Sequence, residues 1–375
     1  MTSLGRFIIA IFVLAAITVG YFTFKSDNSP KPDAPFKIAF IGPISGNSSQ
    51  VGDPIKRSVE LAVEELKAKG SKVELMVVDD ACDPKQASLA LQKLVDVDQV
   101  KFVIGGVCND EALALAQTAA SNKVVLISPA IGLAEYSTKG EYIFRNTQPD
   151  FQGGTLLGIE AAKKYKTIAV ISEANDEASA YKNAFNDAFV KGGGTVVLDE
   201  MISPKPEDFL KQAPRIKKVM PKAEAVFINL RSEASIKKFL DEFKKLYWKI
   251  PLVIYPNVAN QATDIKYKVL LEGAVLAQAP SLDKTSPAVT AFIDAYIKVN
   301  KRFTGVDAYN AAGYEAIQIL AGGYDSGART ADAMRDYVRG LKSFVGLQGT
   351  YQFDLRGDMQ GVPFNIKTIK KGKVE

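Results

Sequence analysis

Short apolar runs alternate along the chain with longer stretches in which apolar residues recur at helical spacing. Lys37 to Gly42 reads as a buried strand followed by a turn. In the next stretch Asp53 can cap a helix, Pro54 suits the first helical position and Gly70 suits the exit. Ile55, Val59, Ala62, Val63 and Leu66 give that helix one apolar face. Strand Val73 to Val78, helix Pro84 to Val95, strand Phe102 to Ile104, helix Asp110 to Ala120 and strand Val124 to Ile127 follow. Strict β–α alternation predicts a parallel sheet with right-handed crossovers.

The pattern restarts after Asp150. Helix Phe151 to Lys164, strand Thr167 to Ser172, helix Ser179 to Lys191 and strand Thr195 to Leu198 come first. Helix Glu207 to Val219, strand Ala225 to Asn229, helix Ala234 to Leu246 and strand Leu252 to Tyr255 complete a second α/β half. Helices Pro287 to Val299 and Ala308 to Ala321 precede a β-rich tail, Gly349 to Phe353 and Phe364 to Ile369. The expected fold is α/β, with two doubly wound parallel-sheet lobes. Open sheets of this kind bind ligands at the carboxyl ends of their strands, so the cleft between the lobes is the expected site.

Two features precede the body. Phe7 to Phe24 is nearly all apolar, between Arg6 and Lys25. As a helix it spans about 27 Å, close to a bilayer core. A cleaved signal and an uncleaved anchor both fit residues 1–25, and both send the rest of the chain across the membrane. No Cys follows the run, which excludes a lipoprotein anchor. Ser26 to Pro35, rich in Pro, Ser, Asn and Asp, reads as a disordered linker.

Composition narrows the chemistry. The 375 residues carry a diffuse net charge of +5 and no basic stripe with interleaved aromatics, so nucleic acid is not an expected partner. The absence of His removes the commonest general base and the commonest transition-metal ligand. No Gly-x-Ser-x-Gly elbow, P-loop or dinucleotide fingerprint is present. The expectation is a binder with no cofactor or metal, and not an enzyme. Cys82 and Cys108 each follow a predicted strand and precede a helix start. Thiols at one sheet edge can be bridged, which points to an oxidising compartment.

The run Ile41-Gly42-Pro43-Ile44-Ser45-Gly46, then Gly52-Asp53, then Asp79-Asp80-Ala81-Cys82-Asp83-Pro84-Lys85-Gln86-Ala87 resembles the branched-chain amino-acid-binding proteins of ABC transporters, a type I periplasmic class. Val103 to Cys108, Ile127 to Ala130, Phe144 to Thr147, Gly313 to Ala316 and Phe353 to Asp358 continue the likeness in order, over roughly Phe36 to Lys370. The resemblance implies two lobes joined by a three-segment hinge: 36–148 plus 280–360, and 149–279 plus 361–375. It also implies a Cys82–Cys108 disulfide, closure on a small ligand, a periplasmic location and an ABC permease as partner to a monomer. A membrane-tethered sensory module with the same clamp is the alternative, which an uncleaved anchor at residues 7–24 would suit.

The implied site residues depart from that family. The Ser that follows the second Cys and takes a ligand carboxylate is Asn109 here, next to Asp110 at the helix start. Ala130, whose carbonyl takes the ammonium, is kept and precedes Ile131, but the next hydroxyl position is Gly132. The acid after a second-lobe Pro is Asn257, after Pro256. A frequent Tyr is Glu177, and an aromatic that covers the ligand is Val51. A buried zwitterion needs charge partners and donors, so an ordinary branched-chain amino acid is not the expected ligand. Glu177 or Asp176 could replace the lost acid. A neutral, largely apolar or amide-like ligand suits Asn109 and Asn257.

The remaining candidates are read from position. Ser48 and Ser49 lie in the loop after the first strand, as a ligand contact or a plain turn. Asn109 is also a candidate helix cap. Arg231 follows a strand and points toward the cleft. Tyr255 covers the ligand or packs in the core. Arg145 is expected in a structural ion pair near the hinge, and Trp248 in packing. If Cys82 and Cys108 are joined, the bridge stabilises by roughly 3–4 kcal/mol on the chain-entropy argument. Reduction should then lower the melting temperature in a thermal scan; an unchanged value would mean the thiols are free.

Overall fold

The computed structural model describes residues 35–203, 218, 222–245 and 249–375. The apolar segment Phe7 to Phe24, all but the end of the linker, Trp248 and the helix expected over 207–219, Lys218 apart, lie outside them. Among the described residues no helix is long and apolar enough to cross a membrane.

In chain order the first half runs β1 (Phe36–Gly42), α1 (Ser49–Ala68), β2 (Val73–Asp79), α2 (Pro84–Asp96), β3 (Phe102–Gly105), α3 (Asn109–Ser121), β4 (Val125–Ser128) and β5 (Ile143–Arg145). Its five strands form one parallel sheet in the order β2-β1-β3-β4-β5. The second half runs α4 (Asp150–Ala162), β6 (Thr167–Glu173), α5 (Asp176–Lys191), β7 (Thr195–Ile202), β8 (Ala225–Asn229), α6 (Glu233–Lys244), β9 (Leu252–Ile254), α7 (Pro256–Ala259), α8 (Lys268–Leu271) and β10 (Val275–Gln278). Then come α9 (Pro287–Asn300), α10 (Asp307–Asp325), α11 (Ala331–Gly340), β11 (Phe344–Gly346), β12 (Gly349–Phe353), β13 (Met359–Gln360), β14 (Asn365–Lys370) and β15 (Lys373–Val374). The second sheet is ordered β15-β14-β10-β9-β8-β6-β7, parallel except where β14 and β15 join antiparallel.

Each sheet is covered on both faces, as parallel sheets must be. Ile38, Phe40, Ile104 and Ile127 face α1, α10 and α11, while Ala39, Ile41, Val103 and Leu126 face α2 and α3. In the second sheet Ile171, Val226 and Ile228 face α6, while Val170 and Phe227 face α4 and α5. The chain passes between the sheets three times: after β5, after β10 and after β13. Val289 and Phe292 of α9, with Phe353 and Met359, belong to a core of the first sheet; Ile369 belongs to one of the second. The two-lobe α/β expectation holds.

Two local readings change. α1 starts at Ser49 with Ser48 before it, so Asp53 is not the cap and Pro54 sits inside the helix. The extra turn forms because Gly52 can lie against Pro43: a β-carbon there would stand 2.1 Å from the Pro43 carbonyl oxygen. Asp53 instead pairs with Arg57 at 2.7 Å. Gly70 does close the helix, with φ +91°. The strand β5 and the helix α11 were not anticipated. Three residues are too few for a period, and in α11 only Met334 and Val338 are buried.

Arg145 lies where the first sheet hands the chain to the second. It is fully buried and pairs with Asp358 at 2.7 Å. Its guanidinium also donates to the carbonyls of Ile131, at 3.3 Å, and Leu133. The structural ion pair expected of Arg145 is present. Replacing Asp358 with Ala leaves a buried cation short of its partner, and urea unfolding should register a loss of roughly 3–5 kcal/mol. A loss under about 1 kcal/mol would show that the pair is not what anchors this junction.

Candidate functional site

The turn after β2 sets one wall. Ala81 and Cys82 have left-handed backbone, φ 50° and 62°. Carboxylates hold them there: Asp79 Oδ1 accepts from the Ala81 N–H at 3.0 Å, and Asp80 Oδ1 from the Cys82 N–H at 2.9 Å. Burial pushes the Asp79 carboxyl up, but hydrogen bonds from Ser45, Ile44 and Ala81 outweigh it and leave it below the usual range. Asp83 then caps α2, accepting from the Gln86 N–H at 2.8 Å. Cys82 and Cys108 are joined, with Cα atoms 5.7 Å apart.

Cys108, not Asn109, is the cap of α3. Asn109 is the first helical residue because Glu111 reaches back to the Cys108 N–H at 3.0 Å and fixes the helix start one residue earlier. Asn109 and Asp110 are exposed. They line a cavity of about 400 Å³ with Cys82, Cys108, Leu133 and Glu135 on one side and Asn175, Asp176 and Glu177 on the other. The starts of α3 and α5, one from each sheet, thus face the same space.

A second cluster is built around Arg231, half-buried at the end of β8. Its guanidinium lies 3.4 Å from the centre of the Tyr255 ring. It donates to Asp150 Oδ2 at 3.2 Å and to the Glu177 carbonyl at 3.2 Å. Tyr255 donates its hydroxyl to the same Asp150 oxygen at 3.3 Å and meets Tyr181 edge-on at 5.0 Å. Asn257 donates to the Arg231 carbonyl at 2.9 Å. Glu173, buried at the end of β6, accepts from the N–H groups of Arg231 at 2.8 Å and Ser232 at 3.0 Å. Burial raises the Glu177 carboxyl; Arg231 opposes the shift, and Asp150 and Glu173 add to it. Burial, then the charges of Asp150 and Glu177, pushes the Tyr309 hydroxyl up to about 12, so the start of α10 also faces this cluster.

The other sequence candidates scatter. Ile131 packs in a core of the first sheet, 1% exposed. Ala130 and Ile131 direct their N–H groups to Ser128 Oγ, at 3.3 and 3.2 Å. Gly132 lies against Asp150: a β-carbon there would stand 3.1 Å from its carboxyl, and the Asp150 N–H donates to the Gly132 carbonyl at 3.2 Å. Ser49 and Val51, in the first turn of α1, line a different cavity of about 850 Å³ with Arg57 and Thr304, and Ser48 is the residue before that helix. Asp150 was missed. Its signal was present: an acid in the first turn of the helix after Pro149, where the second half begins.

Replacing Arg231 with Met keeps the stem but removes the cation that opposes Asp150, Glu173 and Glu177. Urea unfolding should register a loss of roughly 1–3 kcal/mol, and the Glu177 carboxyl should titrate at higher pH in side-chain NMR. A Glu177 titration unmoved by the change would separate Arg231 from this network.

Comparison with known proteins places this geometry. The family described as periplasmic binding protein matches residues 35–372. The leucine-, isoleucine-, valine-, threonine- and alanine-binding protein of Pseudomonas aeruginosa is 27% identical over 342 residues, 88% of each chain. A solute-binding protein of an ABC transporter from R. palustris, in complex with benzoate, superposes with a TM-score of 0.69 at 21% identity, over 91% of this chain and 95% of that one. An ABC transporter substrate-binding protein from Desulfitobacterium hafniense, in complex with Leu, gives 0.72 at 21% identity, over 91% and 99%. At these identities the two structures establish the fold, and the match over nearly all of the described residues establishes the rest: this chain belongs to the periplasmic binding protein family.

Proposed function

We propose that the chain is an extracytoplasmic solute-binding protein that captures a small ligand between two lobes, 36–148 plus 280–360 and 149–279 plus 361–375, and delivers it to an ABC importer. The observation that carries the reading is the cavity shared by the starts of α3 and α5. A ligand that touches both sheets' helix starts stabilises only the closed arrangement, so binding and closure are one equilibrium. The relatives' names support transport, and the tethered sensory reading rests on residues 7–24 alone.

The ligand we propose is not an ordinary branched-chain amino acid. Asn109 and Gly132 supply no hydroxyl for a carboxylate, and the side-chain amide of Asn257 is already engaged with Arg231. The charged residues lining the cavity are Asp110, Glu135, Asp176 and Glu177, with no Lys or Arg among the lining residues. An anion entering there meets the repulsion of four acidic side chains. A compact ligand rich in hydrogen-bond donors, neutral and amide-like, matches the Asn and carboxylate oxygens. The benzoate and Leu held by proteins of this fold support a ligand of similar size here.

A thermal-shift and native mass-spectrometry screen tests this with amino acids, amides, polyols and aromatic acids. At a ligand concentration a hundred times Kd the gain is about 2.7 kcal/mol. Amides should raise the melting temperature, and Asn109→Ala with Glu177→Ala should abolish the rise. A large shift with leucine that Asn109→Ala removes would overturn the ligand reading. No bound mass with any class would overturn the capture reading.

A further inference from the structure

Asp80 and Glu111 are both 0% exposed. They come from separate elements, the end of β2 and the first turn of α3, and they meet beneath the disulfide. Asp80 Oδ1 accepts from the Cys82 N–H at 2.9 Å. Glu111 Oε2 accepts from the N–H groups of Val107 at 2.9 Å and Cys108 at 3.0 Å. Each carboxyl therefore holds the backbone of one half of the bridge. The other two oxygens, Asp80 Oδ2 and Glu111 Oε1, meet no donor among the described residues. Yet the two side chains lie close enough for each to act on the other's carboxyl. Two ionised carboxylates are acceptors only and have no hydrogen to place between them.

We propose that Asp80 and Glu111 form a one-proton site, a carboxyl–carboxylate pair that keeps its proton at neutral pH and locks the disulfide-bearing wall of the cavity. The proton gives each orphan oxygen its partner. It also leaves one negative charge, which the N–H groups of Cys82, Val107 and Cys108 share. Without the proton, two like charges would touch in a site closed to water, where repulsion is strongest. α3 would then be pushed from β2 at its first turn, the turn that carries Asn109 and Asp110 into the cavity.

The surroundings favour retention. Burial raises both carboxyls, Glu111 furthest; the Asp80 charge adds to the Glu111 rise, while the backbone N–H groups, and at Asp80 the contact with Glu111, pull back less. Asp79 on β2 adds negative charge. From the segment after β4, Tyr136 presents a buried hydroxyl, itself raised by burial and by the charge of Glu111. Arg145 on β5 is the nearby cation, and it is committed to Asp358. A pair whose folded titration lies above the unfolded carboxylate range holds a proton that the unfolded chain has lost. Its stabilisation is complete below that range and is lost as pH rises through the folded value.

The experiment follows urea unfolding of the full-length chain, disulfide intact, from acid to alkaline pH. Relative to Glu111→Gln, the wild-type folding constant should fall by about tenfold per pH unit for the one proton. The Gln amide can donate permanently where the proton sat, so that variant loses the slope. Glu177 and Glu315 also titrate high but are common to both proteins and cancel. Equal slopes in the two proteins would overturn the proposal. Should the variant not fold, side-chain carboxyl NMR of the wild type decides. Asp80 and Glu111 signals that move together above the usual carboxylate range support the shared proton; separate titrations inside that range overturn it.

Discussion

A parallel strand that ends at a sheet's carboxyl edge releases backbone N–H groups into a loop that is only partly wet, and something must accept them. This chain answers with acids placed on neighbouring elements. Asp79 at the end of β2 takes the N–H groups of Ile44 and Ser45 after β1, at 2.8 and 3.2 Å. Glu173 at the end of β6 takes those of Arg231 and Ser232 after β8. Glu111 takes those of Val107 and Cys108 after β3, and Asp80 that of Cys82. The two sheets solve one problem in the same way, and the solution fixes the edge on which the cavity sits. The acid side chains are positioning groups first; their surplus charge then colours the cavity.

The joints between the sheets follow a different logic. Arg145 and Asp358 are buried as a pair, and the neighbours add neutral bonds. Asn146 donates to the Ala312 carbonyl at 2.7 Å, Gln148 to that of Val362 at 3.1 Å, and Gln348 to that of Asn146 at 3.0 Å. All three are side-chain amides on backbone carbonyls, and they tie segments far apart in sequence. Such bonds resist local unfolding while leaving backbone dihedrals as the soft coordinate. On the function proposed above, that would suit a hinge between the two lobes.

The fold was legible because both periods are strong. Nearly every strand and helix named from the sequence recurs within a few residues, and strand 225–229 recurs with its bounds unchanged. The disulfide turn was legible for a local reason: Asp79, Asp80, Asp83 and Pro84 each serve a backbone need within a few positions. The Arg231 cluster was not. Asp150, Glu173, Glu177, Arg231 and Tyr255 are separated by up to 105 residues, and only the strand order β9-β8-β6 brings their ends together. The second role of Glu111 was hidden for a related reason. In the sequence it is a helix-start acid; in the fold it is that and also buried beside Asp80, which follows β2.

Charge arithmetic links the cleft to the direction of its function. Asp110 and Glu135 stand on the first-sheet side of the cavity, Asp176 and Glu177 on the second. Bringing the halves together without a ligand concentrates like charge in shrinking space, which favours the open form. The donor-rich ligand proposed above would accept nothing from those carboxylates but give hydrogen bonds to them, and so would relieve that repulsion. On the function proposed above, the clamp would close for a reason located in its own side chains: the ligand would supply the hydrogens that the cavity wall lacks.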